Sequence, residues 1–219
     1  MENENKNKYT KFSEEDIKNY LNDKEIYIVD SREISSCKNG YLENSIIIPL
    51  SMSYSKFFPA LIKEGAKVII ITDSEHQKES LEKTSSFNSY NILGFAIYDE
   101  IIKNNSLALD KIEYNSNTKE EIQKIVDNKG IIIDIREIGE FKETGVIKDA
   151  ILIPLSSFQT DYNKIPNEGE IYVYCKGGVR AIAGMTYAKR EGYKNKFIIM
   201  EGGMMKTLKE GFPTVPYKE

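Results

Sequence analysis

Chemistry has few possible seats in this chain, because only two of its 219 residues are cysteine and one is histidine. Cys175 stands in the stretch Glu170 to Gly192, EIYVYCKGGVRAIAGMTYAKREG. A thiolate there would be a nucleophile, and the spacing around it says how it would be held. Ile171, Tyr172, Val173 and Tyr174 make a short β-branched and aromatic run, the pattern of a strand buried on both faces. Lys176, Gly177 and Gly178 interrupt that run. From Val179 onward Ala181, Ile182, Met185 and Ala188 recur at helical spacing, and Gly192 stands where a left-handed cap would end an amphipathic helix. Cys175 is therefore expected as the last residue of a strand, facing a helix N-terminus.

The first turn of a helix leaves backbone N–H groups unpaired and carries partial positive charge, so the position suits an anion. A free thiol titrates near ~8.5 and falls to roughly 3.5–7.5 beside a helix N-terminus and cations. Lys176 and Arg180 supply the cations. The two glycines let the backbone turn its N–H groups inward as a nest for an anion on the sulfur. The plain alternative is a buried apolar cysteine, but that does not account for a strand end, a Gly-Gly loop, two cations and a helix together. Cys37, in SREISSCKNG, has no such loop and reads as a buried structural thiol. His76 lies in a polar stretch and reads as solvated. Two cysteines form neither a disulfide framework nor a metal site, so no metal and no cofactor are expected.

The elements that must position Cys175 are short apolar strands alternating with helices. Ser13 with Glu14, Glu15 and Asp16 starts a helix that runs to about Leu21, after a polar segment of ten residues expected to fray. A strand over Ile26–Val29 ends in Asp30-Ser31-Arg32-Glu33. Ile46–Leu50, an aromatic helix near Tyr54–Ile62, a strand over Val68–Thr72, a helix over Gln77–Phe87 and a strand around Phe95–Tyr98 follow. The same signals then return. Thr118–Asp127 is a helix, and a strand over Ile131–Ile133 ends in Asp134-Ile135-Arg136-Glu137. DSRE thus comes back as DIRE at an offset of 104 (134 − 30), and Ile48-Pro49-Leu50 comes back as Ile153-Pro154-Leu155 at 105 (153 − 48). Strand Val68–Ile71 returns as Ile171–Tyr174 at 103 (171 − 68). Internal periodicity of this kind marks a duplicated unit.

Two α/β units are expected, joined through an irregular segment around Asn104–Ile112. Each is large enough to bury its own core and holds a mostly parallel central sheet flanked by helices. Reactive loops of such sheets lie at the carboxyl ends of the strands, where Cys175 is placed. In the first copy Thr72 takes the place of Cys175 and TDSEHQ replaces CKGGVR, so that copy has no thiol chemistry. Asp134 and Arg136 persist as Asp30 and Arg32 in the copy with no cysteine at the Thr72 loop, which favours the scaffold for them. Met204 and Met205 either line the site or fill core, and core is favoured. The net charge of −4 gives no reason to expect nucleic acid or an acidic membrane as partner. No apolar run approaches the ~20 residues of a membrane span, and MENENKNKYTK lacks a signal-peptide core. A cytoplasmic location is the expectation.

These motifs together, DIRE, TGVIKDAILIP, CKGGVRA and MEGGMMKTLKEGFPTV in a duplicated chain, resemble the rhodanese sulfurtransferase family. The resemblance implies two tandem rhodanese-like domains, an inactive one over 11–105 and a catalytic one over 113–219. CKGGVRA fits the family's active loop, Cys-x-x-Gly-x-Arg followed by a small residue, and EGG at 201–203 fits the segment leading into its last helix. The sequence departs where Gly145 is followed by Val146 rather than histidine, and where MMK stands near a tryptophan often found in the last helix. The resemblance implies that Cys175 takes a sulfane sulfur from a small anionic donor such as thiosulfate and carries it as a persulfide to cyanide, a thiol or a thioredoxin-like protein. Lys176, Gly177, Gly178, Val179 and Arg180 would bind the donor. Two other readings differ: a persulfide carrier or sulfur-sensing module serving a protein partner, and a phosphatase or arsenate reductase. The latter is disfavoured because four residues, not five, separate Cys175 from Arg180, and no general acid is evident.

Overall fold

Isoleucine- and valine-rich runs too short to span as helices fold here into parallel strands, and the segments between them close as capped helices. The computed structural model describes residues 9–50, 54–82 and 85–218. The first half runs β1 (Thr10–Lys11), α1 (Glu14–Tyr20), β2 (Ile26–Asp30), α2 (Ile34–Cys37), β3 (Tyr41–Leu42), β4 (Ile46–Ile47) and α3 (Tyr54–Leu61). It continues with β5 (Lys67–Thr72), α4 (Glu75–Glu82), β6 (Asn91–Ile97), α5 (Tyr98–Ile101) and β7 (Leu109–Asp110). The second half runs β8 (Glu113–Asn115), α6 (Lys119–Asp127), β9 (Ile131–Asp134), α7 (Ile138–Thr144), β10 (Ile151–Leu152) and α8 (Phe158–Asp161). It ends with β11 (Glu170–Tyr174), α9 (Val179–Arg190), β12 (Lys196–Met200) and α10 (Gly203–Lys209).

The repeat in sequence is a repeat in topology. Each half builds a five-stranded parallel sheet, ordered β4-β2-β5-β6-β1 in the first and β10-β9-β11-β12-β8 in the second, so corresponding strands hold corresponding places. Both entry helices use one device. Ser13 and Thr118 each accept the backbone N–H three residues on, while Asp16 and Glu121 reach back to the cap N–H, which pairs two donors that a helix start otherwise leaves open.

Several expectations are corrected. Thr10–Lys11 is not frayed: it forms the sheet edge strand against Gly94 and Phe95, and two residues are too few to show a period. Residues 1–8 lie outside the described residues. The segment 104–112 is not irregular throughout, since β7 pairs antiparallel with β3. Helix α4 begins at Glu75, earlier than read, and the described part of it ends at Glu82; residues 83–84, within the stretch expected to be helical, lie outside the described residues. Strand β6 starts at Asn91, because a register shift opposite Val68/Ile69 breaks the alternation a sequence pattern relies on.

Helix α9 carries the largest correction. It is not amphipathic toward solvent: Ala181 to Ala188 are all buried, and so is Arg190. One face lies on its own sheet, and the other meets the first half. Thr186 Oγ1 accepts the Ile47 N–H at 3.1 Å, and Arg190 stacks 3.9 Å over the Tyr27 ring while donating to the Lys24 and Ile26 carbonyls. Lys189 pairs with Asp110 at 2.6 Å. The halves therefore do not bury separate cores alone. One apolar cluster runs through both, from Val29 and Phe58 to Val173 and Ile199, with a smaller cluster on the outer side of each sheet. No helix of the described residues is long and apolar enough to cross a membrane.

Candidate active site

Cys175 follows directly on the last residue of β11, the middle strand of the second sheet, and so sits just past the strand rather than in it. Gly178 caps α9 with φ +113°, a left-handed-side conformation that a side chain would oppose, and its N–H donates to the Cys175 sulfur at 3.0 Å. The residue is 2 % exposed, yet it lines a cleft of about 960 Å³ with Lys176, Gly177, Val179 and Arg180. The thiol is covered by its loop on one side and faces a space large enough for an organic ligand on the other.

The carbonyl side of the loop is held by the last helix. Cys175 and Lys176 carbonyls accept the Met204 and Met205 N–H groups at 2.8 and 3.2 Å. Gly203 makes this approach possible: it adopts φ +54°, and an added methyl would lie 2.2 Å from the Cys175 oxygen. Asn117, buried, donates to the Glu201 and Gly203 carbonyls and fixes that segment from the other side. The two methionines divide, Met204 filling core at 2 % exposure and Met205 lining the cleft at 61 %.

Arg180 and Lys176 differ in their freedom. Lys176 is exposed at the mouth. Arg180 instead forms a fork with Glu140, Nη2 to Oε1 at 2.7 Å and Nη1 to Oε2. Burial lowers the Arg180 pKa, but Glu140 and Cys175 outweigh it and the guanidinium is held above its ordinary value. Burial likewise raises Glu140, and Arg180 with the Glu137 N–H brings its carboxyl below the usual range. Both groups are ionised. Glu137, also on the cleft, accepts the Ser156 N–H and hydroxyl.

Asp134 and Arg136 are not in the cleft. Arg136 is 1 % exposed and forms a fork on Asp134 with distances of 3.0 and 2.6 Å, then donates to the Gly145 carbonyl and the Thr144 hydroxyl at the end of α7. Arg32 repeats this on Asp30 and the Gly40 carbonyl. The pair clamps the helix after the strand in each half. In the second half that helix presents Glu140 to Arg180.

Sequence reasoning missed two contributions. Glu140 has only a local sign, the reciprocal Glu137/Glu140 cap of α7, and its partner lies 40 residues away. The far wall of the cleft comes from α3 of the first half, through Lys56, Phe57, Pro59 and Ala60, and the Gln159 amide donates to the Pro59 carbonyl at 3.0 Å. At the corresponding place in the first half, Thr72 is buried and only Asp73 and Ser74 precede α4. The Asp73 N–H donates to Gln77 Oε1 at 2.7 Å and so is already paired. Cys37 is fully buried in α2, and desolvation drives its thiol pKa far up.

Residues 118–210 match the rhodanese-like domain family. That span, 93 of the 219 residues (210 − 118 + 1), lies within the second half and is similar to this family's domain. The matched span contains the cysteine loop, Glu140 and all of α10. An Allochromatium vinosum sulfurtransferase is 27 % identical over 94 residues, 42 % of this chain and 86 % of that one. A Yersinia enterocolitica tRNA uridine(34) hydroxylase is 31 % identical over 101 residues, 42 % of this chain and 28 % of that protein. A Bacillus subtilis protein proposed as a sulfur carrier is 30 % identical over 81 residues, 36 % of this chain and 43 % of that protein. The last two matches span less than half of those relatives. Among solved structures, the thiosulfate sulfurtransferase of Pseudomonas aeruginosa aligns with 95 % of this chain and 44 % of its own, at 15 % identity and TM-score 0.40.

Proposed function

We propose that the protein is a sulfurtransferase in which Cys175 takes the outer sulfur of an anionic sulfane donor, thiosulfate being the simplest, and holds it as a persulfide until a thiophilic acceptor removes it. The observation that carries this reading is the Gly178 N–H donating to the Cys175 sulfur at the end of the central strand, within the span similar to the rhodanese-like domain family. Attack by the thiolate forms a sulfur–sulfur bond and breaks the donor's, whose electron pair leaves with sulfite. The negative charge then rests on the outer sulfur, and the inward-turned loop amides together with Lys176 and Arg180 offset it. Gly177 and Val179 shape the loop and line the cleft. Cyanide or a thiol, free or on a thioredoxin-like protein, accepts the sulfur and returns the thiolate. The first half, with Thr72 in place of the cysteine, serves as wall and scaffold.

The test is intact-mass analysis of protein treated with thiosulfate, then with cyanide. A gain of one sulfur on Cys175, lost to cyanide and absent in Cys175→Ser but retained in Cys37→Ser, is the expected result. Loading that persists in Cys175→Ser refutes the reading. A single loading event with negligible turnover by cyanide or small thiols would indicate a carrier in place of an enzyme.

A further inference from the structure

We infer that the Cys175 cleft selects donors whose sulfane sulfur rides on an apolar organic body with a single negative charge, over a small inorganic dianion, and that Glu140 sets this preference by occupying the Arg180 guanidinium. The inference rests on the sulfurtransferase reading and names its substrate class.

Three observations carry it. First, the cleft holds about 960 Å³, a volume suited to a drug-sized molecule and far beyond an anion of a few heavy atoms. Second, its walls are apolar where they leave the loop: Phe57 and Pro59 from α3, Leu155, Val179 and Met205. Met205 is 61 % exposed, so its side chain is open to contact with an apolar ligand body in the cleft. Third, the cationic side is partly offset. Lys56, Lys176, Arg180 and Glu137 line the cleft, and the Arg180 fork, which would suit two sulfonate oxygens, is already closed on Glu140. A dianion must break that pair or be bound at its edge, beside a carboxylate. A monoanion with an aromatic body loses less by this and gains contact with Phe57 and Met205.

The experiment compares thiosulfate with benzenethiosulfonate, cyanide being the acceptor. The step balances in both: the thiolate pair forms the Sγ–S bond, the donor S–S bond breaks, and its pair leaves with sulfite or with benzenesulfinate. The expected wild-type ratio of kcat/KM, aromatic over inorganic, is about tenfold or more. Glu140→Gln keeps an acceptor for the Glu137 N–H and frees the guanidinium. It should lower that ratio by about tenfold, mainly through a smaller KM for thiosulfate. Met205→Gln, on an exposed position, should lower the ratio through a larger KM for benzenethiosulfonate. Equal use of the two donors by the wild type, or a ratio that neither variant moves, overturns the inference while leaving sulfur transfer intact. If neither donor leaves a sulfur on Cys175 by intact mass, the sulfurtransferase reading falls and this inference falls with it.

Discussion

Replacing Gly203 with alanine should loosen the reactive loop without touching the thiol. The new methyl would lie 2.2 Å from the Cys175 carbonyl oxygen and 2.9 Å from that of Lys176, short of the ~3.3 Å of a close C···O contact by roughly 1 Å. Helix α10 must back away, and the Met204 and Met205 hydrogen bonds to those two carbonyls lengthen or break. Each is worth about 0.5–1.5 kcal/mol, and holding alanine at φ +54° adds about 1 kcal/mol or more. The sum is a loss of roughly 2–4 kcal/mol, or a fall in Tm of roughly 4–16 °C for a chain of this size. Urea denaturation gives the first figure and calorimetry the second. Gly177→Ala is the control, since nothing lies within 4 Å of its added methyl and its backbone is not left-handed; it should cost under ~1 kcal/mol. Gly203→Ala should also slow sulfur loading of Cys175, because the carbonyl side of the loop shifts. A Gly203→Ala protein as stable as Gly177→Ala, and loaded at the wild-type rate, would refute the claim that α10 holds the loop.

Thr186→Val keeps the shape of α9 but leaves the buried Ile47 N–H without its acceptor, and should cost about 1–3 kcal/mol in urea denaturation. Asp134→Asn uncouples the buried Arg136 from its carboxylate and should cost about 3–5 kcal/mol by the same measurement, with Asp30→Asn giving a similar loss in the other half. Burial pulls Asp110 up, but hydrogen bonds from Lys189, the Lys111 N–H and Tyr41 outweigh it, so its carboxyl lies below the ordinary range. A depressed folded pKa contributes stability above the unfolded value of about 3.9 and loses it as pH falls through the folded one. Melting temperature should therefore drop below about pH 4, and less steeply in Asp110→Asn.

The reactive loop was legible because everything that builds it is local. A β-branched run, two glycines and a helical period within twenty-odd residues place Cys175 at the end of a strand to within one residue, with a glycine loop before a helix. The Asp-x-Arg pair was legible for a different reason: its survival at Asp30 and Arg32, in the copy with Thr72 in place of Cys175, separates scaffold from site. Glu140 was not legible, because its meaning depends on Arg180, which sequence distance hides. The same holds for Phe57 and Pro59. Misreading α9 as solvent-facing has a physical cause. Thr186, Lys189 and Arg190 are polar and look like an outer face, but each is satisfied by a group of the first half, the Ile47 N–H, Asp110 and two carbonyls. Polarity in a sequence reports hydrogen-bonding need and does not say whether water or protein meets it.

That burial gives the first half, which has Thr72 where the second has Cys175, a structural task. Helix α9 carries Gly178 at its N-terminus and packs against the edge strand β4, where Thr186 accepts the Ile47 N–H that the sheet leaves open. Thr186 closes that edge, and Arg190 and Lys189 pin the far end of the same helix. The direction of the helix axis is thus set by the first half, while the N–H of its cap residue Gly178 donates to the sulfur in the second. Helix α3 adds the opposite wall of the cleft. Threonine in place of a cysteine at position 72 touches none of these contacts, because they come from β4, α3, the Lys24–Tyr27 segment and Asp110.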